Sequence, residues 1–279
     1  MQDKHSGKDA IRRRTYYDIH CHIYPDAIAA KAVAGIEGFY GGLPGEHADG
    51  TAGTLLRLGR ETGIERFFVH SVATSPRQVH NINTFIADSA SAHPAEFTGL
   101  GTLHPDSEDL LSDMEELYSL GLAGVKLHPD VQGFAADCPR AMDIFAFCSE
   151  RGLPVLMHSG DFRSDSSGPD RIIRIMESFP RLRLIAAHFG GYTVWDEALK
   201  KLPGRFENLY VDCSSTMLYI PAEKVVRLIR AYGAERVMYG TDYPMSVPSA
   251  ETRLLESLDI SEEEKERVAS GTCREFFGI

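Results

Sequence analysis

Five histidines and one aspartate stand directly after short apolar runs at widely separated places in the chain. They are His20, His22, His128, His158, His188 and Asp242. Imidazole and carboxylate groups are the nitrogen and oxygen ligands that zinc prefers, and both also carry protons in general acid–base catalysis. If the apolar runs are strands, His20 and His22 lie on one side and Cys21 points to the other. A lone His-x-His pair is a weak signal, but the joint pattern predicts a metal site.

The apolar runs themselves indicate a parallel sheet, because segments with helical periodicity lie between them. Residues 222–232 place their apolar side chains on one helical face, and Ser261 with Glu264 forms a capping box at the start of a last helix. The predicted strands span residues 15–20, 66–71, 97–102, 122–127, 154–158, 182–188, 208–213 and 236–241.

Eight strand–helix units of about 35 residues each match a (β/α)8 barrel, also called a TIM barrel, in the α/β class. A doubly wound open sheet is the alternative, but it usually has fewer strands and a glycine-rich first turn. We expect one barrel domain over residues 15–279, preceded by a disordered polar tail at residues 1–14. The segment 23–53 holds seven glycines and is predicted to be an extended first βα loop, a candidate lid.

The barrel explains how residues so far apart could meet. The carboxyl ends of all its strands lie at one face, where barrel active sites form, so the histidines and Asp242 would converge there. His70 falls inside the second predicted strand and is expected to be a core or rim residue with satisfied hydrogen bonds. His104 ends the third strand, with no independent sign of a role. The remaining four histidines are expected to face solvent.

Composition and charge limit the classes of partner. The chain has 43% hydrophobic and 25% charged residues, as an ordinary globular protein does, and its formal net charge of −11 disfavours a general nucleic-acid or anionic-membrane surface. No apolar run approaches the ~20 residues that span a bilayer, and the polar start of the chain does not read as a signal peptide. Five cysteines without paired spacing suit a reducing compartment, so we expect a cytoplasmic protein; a homo-oligomer is compatible with these features.

Taken in order, the motifs resemble those of the amidohydrolase superfamily, in the amidohydrolase-2 branch that includes the aminocarboxymuconate-semialdehyde and resorcylate decarboxylases. The resemblance runs from about Tyr17 to Phe276-Phe277-Gly278. The matching pieces are His20-Cys21-His22, Gly124-Val125-Lys126-Leu127-His128-Pro129, His158-Ser159-Gly160, Ala187-His188-Phe189-Gly190-Gly191 and Gly240-Thr241-Asp242-Tyr243-Pro244.

The resemblance implies one divalent metal ion, with zinc as the expected metal, held by His20, His22, His158 and Asp242. It also implies that Asp242 accepts the proton of the attacking water and that His188 acts as a proton shuttle or electrophile. Lys126 stands where some members carry a carboxylated lysine that bridges two metals, but its Lys-Leu-His-Pro context favours a single metal. Lys126 and His128 share the inward face of the strand and are expected to bind substrate, with a supporting hydrogen bond as the alternative role of His128. A metal-dependent deoxyribonuclease would share the His-x-His but would need a bridging glutamate, which the fourth strand lacks.

We therefore expect a metal-dependent hydrolase of a small carbonyl compound, an amide, ester or lactone, because zinc lowers the pKa of bound water to about 7. The second candidate is a non-oxidative decarboxylase of a small aromatic or muconate-like acid. A barrel that keeps a metal for sensing without turnover is a third. In each case the partner is a small molecule. Arg163, in the loop after the fifth strand, is the best candidate to hold a substrate carboxylate, although a surface role is equally compatible with its position.

Overall fold

The structure is a computed structural model, and it describes residues 14–42 and 45–279. Most of the predicted N-terminal tail, residues 1–13, lies outside the described residues. Arg14, the last residue of that tail, forms ion pairs with Glu256, Glu262 and Glu266. Arg14 therefore belongs with the barrel rather than with a free tail.

Nine short strands occupy the eight predicted strand positions. They are β1 (Tyr16–His22), β2 (Ile64–His70), β3 (Phe97–Gly99), β4 (Gly101–Thr102), β5 (Val125–Leu127), β6 (Val155–Met157), β7 (Leu184–Ala186), β8 (Leu209–Asp212) and β9 (Val237–Met238). The helices are α1 (Asp26–Tyr40), α2 (Ala52–Thr62), α3 (Val79–Ala92), α4 (Leu110–Ser119), α5 (Pro129–Gln132), α6 (Pro139–Arg151), α7 (Pro169–Ser178), α8 (Trp195–Lys201), α9 (Ala222–Tyr232), α10 (Pro248–Ser257), α11 (Glu262–Glu266) and α12 (Thr272–Phe277). None of the helices in the described ranges is both long and apolar enough to cross a membrane.

All strand pairs are parallel, and consecutive strands are neighbours in the order β1-β2-β3 and β4-β5-β6-β7-β8-β9. The two sheets are separated only at Leu100, whose backbone N–H still donates to the Val69 carbonyl oxygen at 2.9 Å. At the other end, the Ile19 N–H donates to the Tyr239 carbonyl oxygen at 3.0 Å, so β1 lies beside β9 and the sheet closes. The predicted (β/α)8 barrel is confirmed.

Two sets of apolar side chains surround the strands. The larger set lies between strands and helices, while a smaller set that includes Leu156 and Ile185 fills the barrel interior. Phe276 of α12 joins this inner set, and its carbonyl oxygen accepts a hydrogen bond at 2.7 Å from Arg183, which directly precedes β7. Helix α12 therefore closes the amino end of the barrel and leaves the carboxyl ends of the strands for the site.

Local predictions differ in how well they agree with the structure. Helix α9 has the predicted bounds, and the Ser261–Glu264 capping box forms at the start of α11. The third predicted strand is broken at Leu100, and the last strand, β9, contains only Val237 and Met238. Within the predicted first loop, α1 forms and carries Tyr40 to the mouth of the barrel.

Candidate active site

His20 and His22 end β1 and share one side of the strand, as predicted. Their ring centroids are 5.3 Å apart, and both side chains are buried, whereas Cys21 between them packs into the outer core. The carboxylate of Asp18 accepts hydrogen bonds from the His20 backbone N–H and from the Thr241 hydroxyl. This bond across the barrel seam holds β1 in register with the segment that carries Asp242.

The proton of His20 is placed by a buried aspartate at the end of β8. His20 Nδ1 donates to Asp212 Oδ2 at 2.9 Å, so in the neutral ring the lone pair lies on Nε2, at the barrel mouth. Asp212 Oδ1 accepts from the backbone N–H groups of His188 and Ser214 at 3.0 Å and from the Ser214 hydroxyl at 2.6 Å. Burial opposes the charge of Asp212, but His20 and these donors outweigh it and lower the Asp212 pKa well below its ordinary value.

The carboxylate of Asp242 faces both imidazoles of β1. Its Oδ1 lies 3.2 Å from His20 Nε2 and 3.5 Å from His22 Nε2, and its Oδ2 accepts a hydrogen bond from the Ser215 hydroxyl. Burial raises the Asp242 pKa, but the effect of the two histidines is opposite and larger. The net pKa therefore lies well below its ordinary value. Burial also lowers the pKa of His22 to about 4, so its imidazole is neutral at pH 7.

His188 and His158 form a linked pair beside these groups. His188 Nδ1 donates to the Ser214 carbonyl oxygen at 2.8 Å, and its Nε2 lies 3.0 Å from His158 Nδ1. The candidate ligand atoms of His188, His20 and Asp242 lie within 4.8 Å of one another. The predicted ligand His158 is not in this group: the His188 ring is its neighbour on one side, and its Nε2 lies 3.0 Å from the Gly160 carbonyl oxygen.

Lys126 and His128 both point into the barrel from β5. Lys126 is completely buried and its Nζ donates to His20 Nε2 at 2.8 Å, while burial lowers the Lys126 pKa to about 8. The His128 ring stacks on that of His158 at 3.8 Å, and its Nε2 lies 2.9 Å from the Tyr40 hydroxyl. His128 therefore forms a hydrogen bond with Tyr40, and its predicted contact with substrate stays a prediction.

Arg163 is engaged within the protein. Its guanidinium forms a bidentate ion pair with Asp161, donates to the Phe39 carbonyl oxygen at 2.6 Å and stacks over the rings of Phe39 and Tyr40. In this arrangement Arg163 fastens the end of α1 to the loop after β6. The predicted contact with a substrate carboxylate stays a prediction.

Several site residues have left-handed backbone conformations. His188, Ser215 and Asp242 have φ angles of 58°, 43° and 60°. Such angles are uncommon for residues with a β-carbon, and they persist where the surrounding structure enforces them, often at functional sites. All three residues line one small cavity, together with Tyr40, Tyr192 and Tyr219 among others.

Sequence reasoning gave no role in the site to Asp212 or His70, and it named Tyr40 only as one of several aromatic residues that could wall a pocket. Asp212 lies one residue before the end of the predicted strand 208–213, so the rule that strand ends carry the site could have found it. Tyr40 lies at the end of a helix in the predicted lid, and no spacing signal places it near His128. His70 was predicted to be a satisfied core residue. It is completely buried, but neither of its ring nitrogens has a hydrogen-bond partner among the described residues, so that prediction is wrong.

The donor set fits a divalent transition-metal ion. Asp212 leaves the lone pair of His20 on Nε2, His22 is neutral, and the carboxylate of Asp242 lies within 3.5 Å of a nitrogen of each ring. His22 Nδ1 and both nitrogens of His70 are buried without partners in the described part of the chain. Imidazole nitrogens with one carboxylate oxygen are a ligand set that zinc and similar ions accept.

The fold and the site together are those of a (β/α)8 barrel with histidines and an aspartate at the carboxyl ends of its strands. The family model described as Amidohydrolase matches residues 17–279, so the chain belongs to this amidohydrolase family. The family resemblance inferred from the motifs is therefore confirmed.

The chain is also similar to particular proteins, among them two decarboxylases. The chain is 25% identical over 246 residues to the 2-amino-3-carboxymuconate-6-semialdehyde decarboxylase of Dictyostelium discoideum, a match that covers 71% of this chain and 66% of that protein. The match thus spans slightly less than two thirds of that relative. An uncharacterised TIM-barrel protein from Bordetella bronchiseptica is similar in structure, with a TM-score of 0.79, 22% identity and coverage of 95% of this chain and 98% of that one. A dihydroxybenzoic acid decarboxylase from Polaromonas, solved with bound manganese and the inhibitor 2-nitroresorcinol, gives a TM-score of 0.71, 15% identity and coverage of 95% and 97%.

Proposed function

We propose that the chain is a metal-dependent, non-oxidative decarboxylase that releases CO₂ from a small aromatic or muconate-like acid. The observation that carries this proposal is the 25% identity to a decarboxylase over 71% of the chain. It reverses the order that the sequence suggested, in which hydrolysis of an amide, ester or lactone came first.

The walls of the cavity suit a flat substrate. Tyr192 packs edge-on against Tyr40 and Tyr219, with ring centroids 5.5 and 5.6 Å apart. Burial raises the pKa of all three phenols, so they stay protonated and donate hydrogen bonds at neutral pH. Aromatic walls with phenol donors would bind a planar ring and its oxygen substituents.

Tyr40 supplies a donor that Arg163 does not. The Val131 N–H donates to His128 Nδ1 at 3.3 Å, so the proton of neutral His128 lies on Nε2 and is donated to the Tyr40 oxygen at 2.9 Å. The hydroxyl hydrogen of Tyr40 is then free to donate to a substrate oxygen in the cavity. We therefore assign to Tyr40 the positioning role that the sequence suggested for Arg163.

His20, His22 and Asp242 would hold the ion, with one imidazole of the His158–His188 pair as a fourth ligand. When bound, a divalent ion supplies Lewis-acid polarisation of the substrate's oxygen atoms. Zinc remains our expected metal, with manganese as the alternative that the Polaromonas structure suggests. Lys126 donates to His20 Nε2 in the present arrangement, so its ammonium group and the ion compete for the same lone pair.

The reaction breaks the bond between a substrate carbon and its carboxylate. CO₂ leaves, the electron pair stays on the carbon, and one proton is added there, with no oxidant or reductant. Asp242 is ionised, so it would take a proton from a substrate hydroxyl and return it to that carbon. Neutral His188, which lines the same cavity, would orient the substrate.

Hydrolysis is the second candidate, because the ionised Asp242 that decarboxylation would use could serve hydrolysis as well. A carboxylate ionised at neutral pH is a ready base for the proton of an attacking water. Both reactions would use the same residues, so the products must distinguish them.

The test uses the full chain loaded separately with Zn²⁺ and Mn²⁺. Hydroxybenzoate-like and muconate-like acids are offered beside a panel of lactones and amides, while CO₂ release and incorporation of labelled water are measured. CO₂ release that needs metal and disappears in Asp242→Ala supports the decarboxylase. Labelled hydrolytic product without CO₂ would replace it with the hydrolase. Tight metal binding with no turnover of either panel would favour the sensor.

A further inference from the structure

We propose that His70 is a metal ligand of this site, and that it forms with His20 and His22 a three-imidazole position for a divalent transition-metal ion. The inference rests on the metal dependence in the proposed function, but it concerns binding, which can be measured without turnover. It adds a residue from β2 to a set otherwise drawn from β1, β6, β7 and the loop after β9.

Strand pairing brings His70 to the site. In the parallel register of β1 and β2, His22 is paired directly with His70, so the last residues of both strands lie side by side. The His70 ring meets the His22 ring edge-on at 4.4 Å and the His20 ring at 5.1 Å. One candidate ligand atom from each of the three residues lies within 4.8 Å of the other two.

The second observation is that His70 has no hydrogen-bond partner in the protein. Its side chain is 0% exposed, and neither ring nitrogen bonds to any group in residues 14–42 or 45–279. Buried polar groups in folded proteins are almost always paired with protein, water or an ion. If this position only filled space in the core, leucine or phenylalanine would be more stable there, because burying an imidazole without partners costs free energy.

Ligand chemistry points to a cation as the missing partner. The His70 ring has no hydrogen-bond partner in the described residues and lies against the rings of His20 and His22, so it is placed to give a nitrogen to the same ion. His20 presents Nε2, since its Nδ1 donates to Asp212, and the Nδ1 of His22 is likewise buried without a partner in the described part of the chain. Three imidazoles are a ligand set that binds zinc in known enzymes.

Two candidate ligand sets contain His20, one with His22 and His70 and the other with His188 and Asp242, and they cannot each bind an ion at the same time. With its proton on Nδ1, His20 has a single lone pair, on Nε2, and an ion would have to displace Lys126 from it. An ion bound there with His22 and His70 therefore excludes a second ion bound through the same nitrogen with His188 and Asp242. The proposal therefore keeps one ion per chain. Loss of His70 should weaken binding without changing that stoichiometry.

The test compares His70→Phe with the wild-type chain. Phenylalanine keeps a ring in the space and removes both nitrogens, and His70→Leu serves if the larger ring does not fit. The control is His104→Phe, since His104 is also buried but its Nδ1 accepts from the Asp106 N–H outside the site. Affinity for Zn²⁺ and Co²⁺ is measured by chelator competition, and imidazole ligands are counted by X-ray absorption of the zinc-loaded protein.

We expect His70→Phe to bind Zn²⁺ at least 10-fold more weakly and to lose one imidazole from the ligand count, while His104→Phe keeps both values. Without metal, His70→Phe should unfold at the same temperature as wild type or higher, because it buries no unpaired nitrogen. Unchanged affinity and ligand count would overturn the proposal and leave the decarboxylase intact. Failure of the wild-type chain to bind Zn²⁺ and Co²⁺ would also overturn it, and the decarboxylase would fall as well only if Mn²⁺ also supported no CO₂ release.

Discussion

Replacing Asp212 with asparagine should weaken metal binding at the site, although Asp212 is not a predicted ligand. The Oδ1 position receives three donors, the N–H groups of His188 and Ser214 and the Ser214 hydroxyl. In Asp212→Asn the amide oxygen must occupy that position, so the NH₂ group faces His20 Nδ1. Two donors would then meet unless the His20 proton moves from Nδ1 to Nε2.

The size of the effect follows from that proton. With the proton on Nε2, His20 has no lone pair facing His22 and Asp242, and the ion loses one of its few ligands. Replacing the hydrogen-bond partner of a metal-bound histidine typically lowers metal affinity 10–100-fold, which corresponds to about 1.4–2.8 kcal/mol. We expect Asp212→Asn to lie at the upper end of this range, because three donors hold the amide in the unfavourable orientation.

The assay is chelator competition for Zn²⁺ on the purified chain, beside CO₂ release from any substrate found in the panel. Asp18→Asn is the matched control. Asp18 is also completely buried and accepts from the His20 backbone N–H, but it does not touch the imidazole, and the Thr241 hydroxyl can turn to accept from an amide. Wild-type zinc affinity in Asp212→Asn would refute the tautomer argument. Equal losses in both variants would point to a general disturbance of the barrel instead.

Three further results are expected. His22→Ala should lower the bound metal from about one ion per chain to well below one by elemental analysis; a fully loaded variant would contradict the assignment. His188→Asn should keep the fold and most of the metal while turnover falls roughly 10²–10⁴-fold, and an unchanged rate would leave His188 structural. Glu251→Gln should raise the Tm more at pH 8 than at pH 5. Burial raises the Glu251 pKa to about 8, so the folded chain retains a proton that the unfolded chain releases above about pH 4.5, and stability falls as pH rises between these values. Equal Tm changes at both pH values would contradict this linkage.

The parts of the site that follow from strand geometry could be predicted from the sequence. Alternation along β1 places His20 and His22 together, and the barrel brings Asp242 to them from the opposite end of the chain. Both results need only the period of a strand and the direction of parallel strands. The limits of single strands were harder to predict, because the break at Leu100 and the short β9 depend on pairing across the sheet rather than on local composition.

What the sequence could not provide is the identity of hydrogen-bond partners. Arg163 looked free in a polar loop, and only the fold shows Asp161 and the end of α1 occupying its guanidinium. His70 looked like a residue with ordinary partners inside an apolar strand, and only the packing of its neighbours shows that it has none in the described residues. Such facts depend on side chains that meet across the barrel, and no spacing rule relates them.

The positions of His20 and His188 are coupled, because the same two residues, Asp212 and Ser214, support both. Asp212 holds the ring of His20 with one oxygen and the backbone of His188 with the other, and the Ser214 hydroxyl lies 3.0 Å from Nδ1 of both rings. A shift of one imidazole therefore displaces the support of the other. Since His20 is a predicted ligand and His188 faces the cavity, metal position and substrate position depend on the same carboxylate. Strand β8 supplies no predicted ligand, yet it sets the geometry in which the ligands and the substrate would meet.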